Sequence, residues 1–194
     1  MGAKILAFAG SSRKESFNKK LLAVAIKGAE ANGVEITSID FADYEMPIYN
    51  GDLESEKGLP EAARKFKKLM KEHHGFLIAS PEYNSSISPL LKNALDWASR
   101  PEEGEKPLAA FAGKTAALIS ASPGGLGGLR GLMTLRSMLG NIQVLVLPEQ
   151  FALSNAHEAF NESGALIDSK QRERVQGVVE SLVKITSLVH SDNG

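Results

Sequence analysis

The chain contains no cysteine, and this absence removes several classes of chemistry. Without a thiol there is no disulfide framework, no thiolate nucleophile and no cysteine-ligated zinc or iron–sulfur cluster. No apolar run approaches the roughly 18 residues that a membrane-spanning helix needs. The formal net charge of −1 provides neither the basic surface that binds nucleic acid nor a polybasic face for membranes. We therefore expect no nucleic-acid partner and no membrane insertion.

Two nucleotide-binding fingerprints are also missing from the sequence. Neither G-x-G-x-x-G nor G-x-x-x-x-G-K-[ST] occurs, which argues against a Rossmann dinucleotide unit and against a P-loop. The four histidines form no cluster with metal-ligand spacing, so no metal site is expected. The N-terminal residues have a strand-like pattern rather than that of a secretory signal, and this predicts a cytoplasmic location.

What the sequence does contain is an alternation of short apolar runs with longer segments of helical period. This alternation is typical of βαβ units on a parallel sheet. The predicted strands are residues 4–9, 34–39, 75–80, 115–121 and 142–147. The predicted helices are residues 17–32, 60–73, 89–99, 126–139 and about 168–189. No repeat or linker interrupts the pattern, so we expect one α/β domain, a three-layer sandwich, over residues 1–194.

A polar stretch connects the first predicted strand to the first predicted helix. Residues 10–18 read G-S-S-R-K-E-S-F-N, so hydroxyls, an amide and a guanidinium gather at a helix N-terminus. A helix start has unpaired N–H groups and a positive partial charge, which together with these side chains suits a phosphate monoester. The alternative is helix capping alone, with Ser12 and Glu15 forming a Ser-x-x-Glu box or Ser16 as the N-cap.

Two further stretches follow the third and fourth predicted strands. Residues 80–88 read S-P-E-Y-N-S-S-I-S and lead into a helix with Ser88 as N-cap and Pro89 at its first position. Residues 120–130 include four glycines within five positions, which allow a flat ring to approach main-chain N–H groups. Each stretch alone is compatible with a simple turn. Their place at the carboxyl ends of neighbouring parallel strands favours one shared ligand site.

Together these loops resemble the NAD(P)H-dependent FMN reductase family, a flavodoxin-like group that includes bacterial quinone, chromate and azo-dye reductases. The resemblance extends over nearly the whole chain and includes the runs 47–54 and 91–97, which read P-I-Y-N-G-D-L-E and L-K-N-A-L-D-W. It implies a flavodoxin-like five-stranded parallel sheet of order 2-1-3-4-5, FMN as cofactor and NADPH or NADH as electron donor.

The resemblance also implies roles for individual residues. The FMN phosphate would be held by Ser11, Arg13, Ser16 and Asn18. The ribityl chain and isoalloxazine ring would be lined, largely through backbone groups, by Pro81, Glu82, Tyr83, Asn84 and Ser85. The other edge of the ring would be flanked by Ser122, Gly124 and Gly125. Hydride would pass from nicotinamide C4 to flavin N5 and on to a small acceptor, so no catalytic acid, base or nucleophile is expected.

Two other functions stay open at this point. A flavodoxin-type electron carrier would share the fold and the cofactor, but such carriers typically have a strongly acidic docking surface, which a charge of −1 disfavours. A signalling or phosphate-processing domain would need an acidic cluster or a cysteine at the strand ends, where this chain has Gly10 and Ser80. The acceptor, the choice between NADH and NADPH, and whether FMN stays bound or diffuses as a substrate are not decided.

The helix predicted over residues 126–139 is apolar around more than half of its circumference, whereas a helix on a sheet needs a stripe of about 100°. This predicts a homodimer, or a dimer of dimers forming a tetramer, with the helix and Trp97 as candidates for the interface. The alternative is that residues 148–167 cover the extra apolar face. The basic run 65–71 is expected to be a solvated helix face, and His73 with His74 a solvated helix end.

Overall fold

The computed structural model describes residues 3–31 and 34–190. Its strands are β1 (Ile5–Ala9), β2 (Ile36–Ile39), β3 (Gly75–Ala79), β4 (Glu82–Tyr83), β5 (Ser86–Ile87), β6 (Thr115–Ala121) and β7 (Leu145–Leu153). Five of them form a parallel sheet in the order β2-β1-β3-β6-β7, while β4 and β5 pair as a short antiparallel hairpin. With the hairpin set aside, the main strands follow the predicted order 2-1-3-4-5, which is confirmed.

Helices cover both faces of the sheet, as in flavodoxin-like proteins. They are α1 (Phe17–Ala31), α2 (Gly51–Lys57), α3 (Glu61–Glu72), α4 (Pro89–Ala98), α5 (Leu129–Asn141) and α6 (Ser169–His190). Residues of α1 and α6 pack on one face, and residues of α3, α4 and α5 pack on the other. The predicted three-layer α/β sandwich is confirmed. Residue 32, the predicted end of the first helix, lies outside the described residues.

The central strands are buried along their whole length, which explains why they read as continuous apolar runs. Successive side chains of β1 point to opposite sides, so Ile5 and Ala7 belong to the core under α1 and α6. Leu6 and Phe8 belong to the core under the other helices. Because both faces are covered by helices, the loops at the carboxyl ends of the strands remain as the accessible edge.

Two segments differ from the predicted elements. Residues 40–59, expected as a loop, contain a 3-10 turn over Phe41–Asp43 and the helix α2, which Asn50 caps by accepting from the N–H groups of Asp52 and Leu53. The last strand begins and ends later than predicted and runs through Pro148. An edge strand tolerates this proline, and the pairing of β6 with β7 shifts register around it.

The sequence placed Trp97 in an interface between copies and Lys67 on a solvated helix face, and both predictions are wrong. Trp97 is fully buried, and its Nε1 donates to the carbonyl oxygen of Pro47 at 2.8 Å, so it is not available to an interface. Lys67 is also buried, and its ammonium group contacts the Glu105 carboxylate. The reason is the same in both cases. The segment around Pro47 covers Trp97 on α4, and the segment around Glu105 covers Lys67 on α3. Helical periodicity does not predict that a distant segment will cover a helix face.

The predicted solvated helix end is also wrong for His73, which is buried with its Nδ1 2.7 Å from the carbonyl oxygen of Leu69. Among the described residues, no helix combines the length and the apolar character needed to cross a bilayer.

Candidate functional site

The loop between β1 and α1 presents hydroxyls and a guanidinium at a helix N-terminus. Ser16 is buried, and its Oγ accepts from the N–H of Lys19 at 3.5 Å, so it caps α1. Ser11 is also buried and accepts from the N–H of Arg13 at 3.3 Å. The Arg13 side chain is exposed. The alternative box of Ser12 with Glu15 does not cap α1, because the helix begins at Phe17, directly after Ser16. The Glu15 carboxylate instead pairs with Lys20.

The second loop is a hairpin with a two-residue turn. Asn84 and Ser85 have φ values of 51° and 66°, the left-handed conformation that two-residue hairpin turns require. The hairpin precedes α4, whose N-terminus is capped by Ser88: its Oγ accepts from the N–H of Leu91 at 3.2 Å, with Pro89 at the first helical position. The predicted cap and start of this helix are confirmed.

The third loop, residues 122–128, divides its glycines into two pairs. Gly127 and Gly128 are buried, and both have positive φ. A Cβ on Gly128 would lie 1.8 Å from the Oγ of Ser120, so only glycine fits there. Gly124 and Gly125 are exposed, with open space around Gly125. The buried pair therefore shapes the loop, while the exposed pair leaves backbone accessible.

Three hydrogen-bonded links join the three loops to one another. The Oγ of Ser88 donates to the carbonyl oxygen of Gly10 at 2.6 Å, which joins the second loop to the first. The side chain of Asn18 bonds to the backbone of Ala121, which joins the first to the third. One oxygen of the Glu82 carboxylate accepts from the N–H of Gly131 at 3.0 Å, which joins the second loop to the first turn of α5, directly after the third loop. The loops thus form one contiguous surface at the carboxyl edge of the sheet.

Comparison with known proteins agrees with this geometry. A family described as NADPH-dependent FMN reductase matches residues 3–158. An NAD(P)H-dependent FMN reductase of Pseudomonas aeruginosa is 38% identical over 92% of each chain. An NAD(P)H:quinone oxidoreductase of Solanum tuberosum is 37% identical over 92% of this chain and 90% of its own.

The chain belongs to the NADPH-dependent FMN reductase family. It is an oxidoreductase of a family that uses FMN, with NAD(P)H as the electron donor. Among solved structures, the NAD(P)H:acceptor oxidoreductase FerB of Paracoccus denitrificans superposes with a TM-score of 0.81 at 31% identity, over 96% of this chain and 98% of its own. A flavodoxin from an archaeon has a TM-score of 0.60 at 11% identity, and this likeness concerns the fold alone.

The donor set of the three loops fits the FMN of this reductase family. The N-terminus of α1 supplies N–H groups and positive partial charge, and Ser11, Arg13 and Ser16 add donors for a phosphate. The exposed glycines and the left-handed turn leave backbone groups accessible to a flat ring. Among residues 3–31 and 34–190, no three His, Cys, Asp or Glu side chains come together as metal ligands.

Two contacts in this candidate site have no direct signal in the sequence. Asn18 is buried, and both ends of its amide bond to one backbone residue of β6, so its predicted contact with the phosphate stays a prediction. Glu82 directs its side chain to α5 rather than toward the turn that follows it. For Glu82 there is an indirect signal: α5 begins after a glycine and has no acidic residue in its first turn, so its N-terminus needs an acceptor from another segment.

Proposed function

We propose that this reductase transfers electrons from NADPH or NADH, through bound FMN, to a quinone or a similar small acceptor. The observation that carries the proposal is the contiguous surface formed by three linked loops at the switch in strand order, where open α/β sheets bind their ligands. A 2-hydroxy-1,4-benzoquinone reductase of Burkholderia is 34% identical, over 91% of this chain and 92% of its own. Chromate, azo dyes and free flavin remain further acceptors for the same open site.

The phosphate of FMN would lie at the N-terminus of α1. The hydroxyls of Ser11 and Ser16 would donate hydrogen bonds to the phosphate oxygens, and Arg13 would supply the guanidinium. The Arg13 side chain already reaches over this turn, with its Nη2 donating to the carbonyl oxygen of Glu15 at 3.1 Å. Asn18 would act mainly through the β6 backbone that it holds.

The ring would lie between the hairpin and the third loop. Backbone groups of residues 81–85 would face one side of it, and Ser122, Gly124 and Gly125 would flank the other edge. When bound, FMN accepts hydride from the nicotinamide and gives up electrons to the acceptor. Backbone N–H groups held by the loop structure suit the negative charge that develops on the ring, because they need no reorganisation. No side chain of the protein is assigned a proton-transfer step.

We also propose that residues 1–194 form a single cytoplasmic domain that assembles as a homodimer, or as a tetramer built from two dimers. Support comes from α5, where Leu129 and Met133 are 39% and 56% exposed. Leu126, just before the helix, is 52% exposed. Residues 148–167 therefore do not bury this apolar surface. The net charge of −1 supports the absence of a nucleic-acid partner.

The deciding experiment is stopped-flow reduction of the FMN-loaded protein. We expect the visible flavin absorption to disappear when NADPH or NADH is mixed with the protein. Subsequent addition of 1,4-benzoquinone should restore it. Reduction that needs a separate reductase would favour an electron carrier. A protein that fails to bind added FMN would contradict the proposal altogether. Loss of turnover with FMN still bound, after replacement of any single His, Asp or Glu, would contradict the absence of a catalytic acid or base.

A further inference from the structure

Helix α5 begins without a capping side chain of its own. Its N-cap is Gly128, and its first turn has no acidic residue. The first N–H groups of a helix need acceptors from outside the helix and carry positive partial charge. The missing acceptor comes from the hairpin, since the Oε2 of Glu82 accepts from the N–H of Gly131 at 3.0 Å. Gly131 is the third residue of the helix, a position that an N-cap side chain ordinarily serves.

The second carboxylate oxygen of Glu82 faces Arg130. Its Oε1 lies 3.2 Å from Nε and 3.1 Å from Nη2 of the guanidinium. The side chain of Glu82 is 10% exposed, whereas that of Arg130 is 59% exposed. Because the guanidinium is largely solvated, we expect the ion pair to contribute less than the hydrogen bond to the helix. The sheltered hydrogen bond to the helix is therefore the part of the contact that fixes the hairpin.

A second, independent feature serves the same contact. A Cβ on Gly131 would lie 3.2 Å from both the Cβ of Glu82 and the carbonyl oxygen of Ser86. Glycine inside a helix is less favourable than alanine, so its presence needs a reason. At this position it allows the backbone of the hairpin to rest directly on the first turn of α5.

We propose that the side chain of Glu82 positions the cofactor site: by capping α5 it holds the turn at Asn84 and Ser85 in place, and the carboxylate itself does not contact the flavin. The inference rests on the proposed function, because the turn affects electron transfer only if FMN lies against it. Serine adopts a φ of 66° only where the surrounding structure holds it there. The anchored hairpin provides that support.

Three substitutions separate a hydrogen-bonding role from a charge effect. Glu82→Gln keeps an oxygen at the same reach for the Gly131 N–H, so its FMN affinity should stay within about twofold of the wild type. Glu82→Asp keeps the charge but is one methylene too short, and Glu82→Ala removes the acceptor. Both should weaken FMN binding about tenfold, the effect of losing one sheltered hydrogen bond. Flavin fluorescence quenching measures the affinity, and the visible spectrum of bound FMN reports the ring environment.

The matched control is Arg130→Ala, which removes the exposed half of the contact and should leave affinity and spectrum unchanged. If Glu82→Asp binds as the wild type while Glu82→Gln does not, the charge acts on the flavin and the inference is wrong. Wild-type affinity in Glu82→Ala also overturns it. Should Glu82→Ala not fold, the comparison of the Gln and Asp variants decides.

A measurement on the cofactor-free chain keeps this inference separate from the proposed function. Hydrogen exchange of residues 82–88 should be faster in Glu82→Ala than in the wild type, and exchange of residues 11–18 should not change. If the wild type binds no FMN, the proposed function is wrong, but the hydrogen-exchange comparison still tests whether Glu82 holds the hairpin. Unchanged exchange in residues 82–88 would defeat the positioning role, whatever the wild type binds.

Discussion

The side-chain amide of Asn18 holds both backbone groups of Ala121: Nδ2 donates to the carbonyl oxygen at 2.9 Å, and Oδ1 accepts from the N–H at 3.0 Å. Both bonds are buried, and they span 103 residues of sequence. They tie the first turn of α1 to the end of β6. The phosphate loop and the glycine-containing loop are thus parts of one rigid unit rather than two independent turns.

This relationship predicts different effects for Asn18 and Arg13. Asn18→Ala leaves two buried backbone groups unpaired, so it should lower the free energy of unfolding by about 2 kcal/mol and weaken FMN and riboflavin binding alike. Arg13→Ala removes an exposed donor near the phosphate. It should weaken FMN binding about tenfold and leave riboflavin binding unchanged. Titration of both ligands against both variants measures the difference.

Riboflavin serves as the control ligand, because it has the ring and the ribityl chain of FMN but no phosphate. If Asn18→Ala reduces FMN affinity and spares riboflavin, Asn18 contacts the phosphate directly, as the family resemblance implies. If Arg13→Ala weakens both ligands equally, the phosphate does not lie at the N-terminus of α1.

Sequence patterns could predict the sheet because β1, β3 and β6 are buried on both faces and read as unbroken apolar runs. They could also predict the three loops, whose polar residues directly follow those strands. They could not predict the burial of Lys67 or Trp97, since each depends on a distant segment that folds over its helix. Helical periodicity shows which residues share a face of the helix. Tertiary contacts determine which of these faces are exposed to solvent.

The ion pairs around Lys67 predict a pH-dependent stability. Burial acts to raise the pKa of Glu105, but hydrogen bonds from Lys67 and Lys71 outweigh it and lower the pKa to about 2, from an ordinary 4.5. The folded protein therefore binds this proton less tightly than the unfolded chain does. The stabilisation is complete above about pH 4.5 and is lost as the pH falls toward 2.

Accordingly, Glu105→Gln should lower the free energy of unfolding by about 3 kcal/mol at neutral pH, with less than half of that difference near pH 3. It also leaves the buried Lys67 with a more distant carboxylate, that of Glu102 at 3.6 Å. Urea unfolding at the two pH values measures this. The matched control is Glu61→Gln, which breaks an exposed ion pair with Lys65 and should have no measurable effect. Equal losses of unfolding free energy in both variants would show that the burial of Lys67 does not strengthen its ion pair with Glu105.

A pair of stacked histidines predicts a second pH effect near neutrality. The rings of His74 and His190 lie 4.6 Å apart at an angle of 17°. Burial, followed by the positive charges of His190, Lys114 and Lys4, lowers the pKa of His74 below its ordinary 6.5. The unfolded chain therefore binds this proton more tightly, so stability should fall as the pH drops below about 6.5.

His190→Gln removes one of the charges that oppose protonation of His74, so the loss of stability between about pH 7.5 and pH 5.5 should be smaller than in the wild type. Thermal unfolding across this range measures the slope. The control is His157→Gln, because His157 is exposed and remote from the stack in sequence. An identical slope in the wild type and in His190→Gln would show that His190 does not oppose protonation of His74.

The exposed side chains of α5 predict which surface joins two copies of the chain. Leu132, Leu135 and Leu139 face the core, whereas Leu129 and Met133 lie along one exposed flank of the helix. Two glutamates there would meet their symmetry mates across a two-fold interface and repel them. Leu129→Glu combined with Met133→Glu should therefore convert an assembled protein to monomers at micromolar concentration.

Sedimentation analysis of the wild type and the double variant tests this. Ile167→Glu is the matched control, because Ile167 is 62% exposed and precedes α6 on the other side of the sheet from α5. It should leave the assembly intact. A monomeric wild type would defeat the proposal, and an intact dimer in the double variant would move the interface away from α5. Dissociation in the Ile167 variant alone would assign the interface to the face that carries α6 instead.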